Sequence, residues 1–141
     1  MNRLAAACLA LLLLPGLAAA ADVPVRVRVI QGSRQGPARL DPRLSDLQKQ
    51  LGKLAYQKWE QLDEQQLTMV QKKTQFVKLP DGNQVALTVQ EVRGDTVTIE
   101  VALAQRNTLS SVTIDKEKRI VHQVSGEKNG AAYFVTVRAW P

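Results

Sequence analysis

Residues 84–104 read QVALTVQEV (84–92), RGD (93–95) and TVTIEVALA (96–104). Val85, Leu87 and Val89 alternate through the first run. Val97, Ile99, Val101 and Leu103 alternate with Thr98, Glu100 and Ala102 through the second. Successive side chains of an extended chain point to opposite faces, so each run is a strand with one apolar face. Arg93-Gly94-Asp95 lies between them as a turn, and the pair predicts an antiparallel hairpin.

Working outward, the same signals recur. Thr74 to Leu79 is a short strand, and Pro80-Asp81-Gly82-Asn83 turns it into the hairpin. Beyond the hairpin, Ser111 to Asp115, Arg119 to Ser125 and Ala131 to Trp140 are further strands. Glu127-Lys128-Asn129-Gly130 supplies the turn before the last. Towards the other end, Val23, Val25, Val27 and Val29 alternate with Pro24, Arg26 and Arg28. They predict a strand from Val23 to Ile30 with a valine face inward and two arginines outward. Pro24 has no N–H for a ladder and belongs at the strand's start or on an edge.

Gln31 to Arg39, with Gly32, Ser33, Gly36 and Pro37, reads as a loop. A helix is then expected from Asp41 to about Leu54. Asp41 can cap free N–H groups, and Pro42 suits the first helical position. Leu40, Leu44, Leu47, Leu51 and Leu54 form one narrow apolar stripe, better suited to packing on a sheet than to a coiled coil. Between Ala55 and Val70 the apolar residues fit neither period. Tyr56 to Leu62 reads as either a continuation of the helix or a strand carrying a bulge, and strand is the preferred reading. Together these elements predict one mostly-β, α+β domain over 22–141. It would be an antiparallel β-sandwich or open barrel of about six to eight short strands, with one amphipathic helix near its start.

The first 21 residues differ in kind. Arg3, the apolar run Leu4 to Leu14, the break at Pro15-Gly16 and the small residues Ala19 and Ala21 predict a cleavable secretory signal ending before Asp22. The rival is an uncleaved anchor, because Leu4 to Ala21 is near the lower limit for spanning a bilayer of about 30 Å. Cys8 sits inside the apolar run, which does not suit lipid attachment. As the chain's one cysteine it leaves the mature part without disulfide, thiol nucleophile or thiolate metal site. Export is expected, to the periplasm first and to the exterior as an alternative, with no membrane span once the signal is removed.

Formal charge is +6 overall, and its distribution is uneven. Asp22 to Lys58 holds eight basic and three acidic residues, for a net +5, whereas Trp59 to Pro141 holds ten of each. Outside the cytoplasm, nucleic acid is not the expected partner of such a segment. Anionic lipid, acidic polysaccharide or an acidic protein face suits it better, and the rival reading is ordinary solubilising charge. The candidate basic binding face is Arg26, Arg28, Arg43, Lys49 and Lys53.

Catalytic equipment is sparse. His122 is the one histidine, alternating with valines on an expected strand, and a zinc site from histidine or thiolate ligands cannot be assembled. The acids Asp81, Asp95, Asp115 and Glu127 fall in turns. No G-x-S-x-G, H-E-x-x-H or P-loop occurs. Catalytic, cofactor and metal residues are therefore all expected to be none. Tyr56, Trp59 and Tyr133 are read as core rather than a sugar-stacking platform, and Trp140 as either a core cap or an exposed anchor.

The Val25-Arg26-Val27 strand, the Asp41-Pro42-Arg43-Leu44 helix start and the Leu79-Pro80-Asp81-Gly82 turn together resemble a loosely defined group of small exported proteins of Gram-negative bacteria. The resemblance implies an envelope component with no known chemistry, similar to small periplasmic subunits of secretion, pilus or gliding-motility machines. It carries over no functional residue. Three functions follow as expectations. The first is a non-enzymatic periplasmic binding or scaffold module on an envelope protein assembly. The second is a domain binding lipopolysaccharide or acidic polysaccharide through the basic first third. The third is a hydrolase or transferase built on carboxylates.

Overall fold

The computed structural model describes residues 22–103, 108–115 and 118–140. The expected signal at 1–21 lies outside them. Nine strands form two sheets among the described residues. A five-stranded sheet has the order β2-β3-β1-β9-β8 and a four-stranded sheet the order β4-β5-β6-β7. In chain order these are β1 Asp22–Ser33, β2 Arg39–Leu40, β3 Lys58–Val70, β4 Thr74–Lys78, β5 Gln84–Arg93, β6 Thr96–Leu103, β7 Thr108–Asp115, β8 Ile120–Gln123 and β9 Ala131–Ala139. The mostly-β sandwich expected from the alternation is the fold that forms.

The expected hairpin is β5–β6, with Arg93 opposite Thr96 and Gly94 in the left-handed region at φ 60°. One feature of it could not be read from alternation. The register shifts between Val89 and Glu91, leaving Gln90 as an extra residue. That shift lets Val92, an even-numbered position, share the core face with Val85, Leu87 and Val89, opposite buried Val97.

The main core lies between the sheets. Val23, Val25, Val27 and Val29 of β1, Met69 of β3 and Val135, Val137 and Ala139 of β9 meet Val85, Leu87, Val97, Ile99 and Ile114 of the other sheet. Full burial of each valine or leucine removes enough apolar surface from water to contribute about 1.5–3 kcal/mol. β1 lies in the middle of its sheet, antiparallel to both β3 and β9, so its valines take the centre of this core.

A second core forms on the opposite face of the same sheet. Ile30, Trp59, Ala132 and Phe134 lie under Leu44, Leu47 and Leu51. The segment carrying these leucines is not the α-helix of about thirteen residues expected. It is a 3-10 helix, Pro42–Leu47, followed by a single α turn, Gln48–Leu51. The leucine spacing matches this division. A 3-10 helix repeats every three residues and aligns Leu44 with Leu47, while the α turn carries the stripe four residues on to Leu51. Asp41 caps the start as expected, accepting from Arg43 N at 3.0 Å. It also accepts from Gln61 N at 3.0 Å, which fastens the segment to β3. Gly52 ends the turn, and Leu54 beyond it leaves the stripe and is exposed.

The stretch Ala55 to Val70, illegible by period, is mostly strand β3 with a bulge. Val29 pairs with Asp63 and Ile30 with Gln61, so Leu62 is the extra residue. Before the bulge, Trp59 and Gln61 face the outer core. After it, Leu67 and Met69, also odd-numbered, face the inner one. One inserted residue reverses the face of every side chain beyond it, so no single period fits the segment. Elsewhere the expected bounds move by a few residues. β1 runs on to Ser33 into the expected loop, β7 begins at Thr108 rather than Ser111, and β8 is limited to Ile120–Gln123.

Candidate functional site

The five residues of the expected basic face do not make one patch. Arg28 does point away from the valine core, but the helical segment covers it and it is 3% exposed. Its Nη atoms donate to Asp46 Oδ1 and Oδ2 at 3.0 and 2.7 Å, Nη1 to the Arg43 carbonyl at 3.2 Å, and Nε to Thr136 Oγ1 at 3.2 Å. Asp46 also pairs with Arg119 Nε at 2.7 Å, a charge contact without hydrogen-bond alignment. The Arg28 hydrogen bonds hold the Asp46 carboxyl below the usual carboxylate range, against the opposing effect of burial. Arg28 is covered, and its guanidinium is engaged within the fold.

Arg26 is tied to Glu64 across β1 and β3. Arg43 grips Asp41 with Nε and Nη2 at 3.1 and 2.8 Å and donates to the Gln61 carbonyl at 3.1 Å. This grip, with the Gln61 N–H, keeps Asp41 strongly ionised. Lys49 and Lys53 alone of the five are exposed without an ion pair among the described residues. Alternation marks which face a side chain takes, not what covers that face, and this is why the sequence could not separate Arg28 from Arg26.

The aromatic residues divide as well. Tyr56, Trp59 and Phe134 meet edge to face with centroids 5.1–5.8 Å apart, inside the second core. Arg34 covers Tyr56 at 4.8 Å and donates to Glu127 at 2.6 Å. Trp140 is half-buried under the Arg138 guanidinium at 4.8 Å. His122 faces Val135 on the inner side of β8, and burial lowers its pKa, favouring the neutral ring. Among the described residues no group of three His, Cys, Asp or Glu side chains can hold a metal ion. No helix among them is long and apolar enough to cross a membrane.

Two surface features remain. The first is the outer edge of β7. Each sheet edge carries unpaired backbone groups that can recruit another strand, and proteins blunt them with charge, bulges or shortness. The free edge of β3 beyond Gln61 carries the Leu62 bulge and the acids Asp63 and Glu64. β4 is five residues long and ends on Lys78, and β8 is four residues long. β7 is eight residues, TLSSVTID, with no charge before Asp115. On the outer face of its sheet, Phe76, Ala86, Ala102 and Leu109 are paired in sequence across all four strands. Phe76 and Leu109 are 60% and 62% exposed, so this apolar row ends at an edge that has no partner strand among the described residues.

The second feature is a cleft of about 980 Å³ at one end of the sandwich. Its wall is the inner face of the five-stranded sheet past the bulge, where Gln31, Ser33, Lys58 and Glu60 replace the valines. Leu79, Leu103, Val124 and Tyr133 line it at the margin of the main core. The β4–β5 turn contributes Asp81, Asn83 and Gln84 to the opposite rim, and the loop before β9 contributes Ser125, Glu127 and Asn129. A sheet edge open to a partner strand is expected of such a fold, but the sequence did not single out β7, nor did it reveal the cleft. A signal for the first was available in the uncharged run before Asp115. The cleft had none, because its wall comes from three separated segments.

Comparison with known proteins matches no family model, no curated protein and no solved structure.

Proposed function

We propose that the chain is a non-enzymatic binding module of the bacterial envelope, which docks onto a protein assembly by accepting an extended strand along β7. The observation that carries this reading is the eight-residue edge of β7, which has no partner strand among the described residues and no charge before Asp115, where the other free edges are shorter or carry a bulge and charges. Strand addition draws affinity from main-chain hydrogen bonds and specificity from alternate side chains. A strand laid on β7 would extend the Phe76–Ala86–Ala102–Leu109 row and cover Leu109. Export to the periplasm, the expectation from residues 1–21, would bring the module to the partners this reading needs. The rival based on an anionic surface is weaker. Three of its five residues already have carboxylate partners, leaving Lys49 and Lys53.

The test is an affinity capture from mildly solubilised envelopes at low and high salt, comparing the native chain with the double variant Leu109→Lys, Ser111→Lys. Both positions are exposed, so folding should be retained. The native chain should hold a discrete set of proteins at high salt, its β7 amides should gain protection from hydrogen exchange, and the variant should lose both. Equal capture by the variant would remove β7 from the reading. Capture only at low salt, dominated by lipid or polysaccharide, would favour the anionic-surface alternative.

A further inference from the structure

The cleft at the sandwich end has a composition that strand addition does not explain. A sheet face directed at a second sheet is ordinarily apolar, and this one is apolar from Val23 to Val29. At Gln31, Ser33, Lys58 and Glu60 it becomes polar while the opposite face of the same strands becomes core. Gln31 and Lys58 are half-buried, and neither side chain has a hydrogen-bond partner among the described residues. Gln84 on the facing rim is likewise without one. These groups offer donors and acceptors that the fold does not consume.

The chemistry of the lining selects a ligand class. Lys58 and Lys128 oppose Glu60, Asp81 and Glu127, and Glu127 is already paired with Arg34, so the remaining charges balance. An ionic ligand gains nothing from such a site. Carboxamides at Gln31, Gln84 and Asn129 each donate and accept, as do the hydroxyls of a sugar. Leu103 and Tyr133, both partly buried, provide apolar surface for the C–H face of a sugar ring. The backbone of the wall is already engaged. Gln31 pairs with Glu60 on one side and Tyr133 on the other, which leaves no main-chain ladder for a peptide. The volume is at the upper end of the roughly 300–1,000 Å³ usual for small-molecule pockets, larger than one sugar ring requires.

We infer that this cleft binds an uncharged oligosaccharide through side chains of β1, β3 and the β4–β5 turn. The site is separate from the β7 edge, so either can fail alone. The test is a backbone-amide NMR titration of the full chain as exported. The probes are cellobiose, maltose and N,N′-diacetylchitobiose at up to about 10 mM, a range that detects weak binding. Oligogalacturonate serves as the acidic control. At least one neutral sugar should shift amides confined to residues 31–35, 58–60, 79–84, 103 and 124–133, with no dependence on salt. Gln31→Ala with Gln84→Ala should weaken binding at least about tenfold, from loss of two or more hydrogen bonds, with the spectrum otherwise unchanged. Leu109→Lys with Ser111→Lys should bind as the native chain does. Absence of shifts with every neutral sugar, shifts outside the cleft, or salt-sensitive binding of oligogalacturonate alone would each overturn the inference.

Discussion

Along β1, the valines at 23, 25, 27 and 29 face the four-stranded sheet, with arginines behind them. From Ile30 onward the apolar side chains are the ones behind, and Gln31 and Ser33 face forward. β9 follows the same division, with Val135, Val137 and Ala139 inside and Ala132 and Phe134 outside. The two halves of one sheet thus bury opposite faces. The first half builds the sandwich. The second packs outward against a short helical segment, and the face it gives up becomes the wall of the cleft. A strand can be regular from end to end and still serve two cores, provided its neighbours change face at the same level. β3 does so through one extra residue, Leu62.

Deleting Leu62 should break that arrangement most severely. Without the bulge, either Lys58 and Glu60 would lie beneath the leucines of the helical segment, or Leu67 and Met69 would leave the inner core. Each alternative buries unpaired charge or exposes core, so the loss should exceed about 4 kcal/mol. Thermal melts followed by near-ultraviolet circular dichroism should show no cooperative transition. A cooperative melt close to that of the native chain would mean that the bulge does not set the register.

Arg28→Ala should come next. The guanidinium joins the helical segment to β9 across the outer face of the first half, and Asp46 is left with Arg119 alone when it is removed. Breaking a buried pair on one side typically costs 3–5 kcal/mol, and partial exposure of Asp46 reduces this to about 3. Urea unfolding would measure it. Arg28→Glu should be worse than Arg28→Ala, because it sets a second carboxylate against Asp46. A double charge reversal of Arg26 and Arg28 would therefore report on folding before it reported on binding.

How much of this was legible follows from the same contrast. The β5–β6 hairpin, the valine face of β1 and the Asp41 cap are local patterns, and each formed where the residues placed it. The face reversal in β3 was not legible, because Trp59 and Met69 are both odd-numbered and only pairing to β1 reveals the residue inserted between them. The helical segment was legible as a stripe but not as a 3-10 helix, since spacings of three and four suit either geometry. Of the expected binding residues, Lys49 and Lys53 stay exposed and without an ion pair among the described residues. Arg28 could not be distinguished from them, because its partners lie 18 and 108 residues away.

In the second half, Gly32→Ala probes how tightly the outer core is filled. Gly32 pairs with Trp59, and an added Cβ would sit 2.8 Å from the indole Cζ3 and 3.1 Å from Tyr56 Cβ. The ring is fixed between Tyr56 and Phe134 and cannot yield freely, so overpacking should cost about 1–3 kcal/mol. The same change at Gly36 serves as a control for left-handed backbone, since φ is 80° there and nothing lies within 4 Å of an added Cβ. If Gly32→Ala were neutral in urea unfolding, the indole would have room to move, and the second core would be looser than the first.

Arg26→Ala should have the smallest effect, and it sharpens the comparison because Arg26 and Arg28 are two residues apart on one face of one strand. Glu64, the partner of Arg26, sits on the neighbouring strand, and both side chains reach water, being 28% and 36% exposed. An exposed pair gains little, because solvent screens the attraction and ordering two long side chains costs entropy. The loss should be under about 1 kcal/mol and should shrink further in high salt. Arg28→Ala should keep most of its penalty at the same ionic strength, since the helical segment keeps bulk solvent from its guanidinium. Measuring both variants in urea at low and high salt separates coverage from charge. A salt-insensitive loss at Arg26 comparable to that at Arg28 would mean that the outer face is shielded well beyond the helical segment.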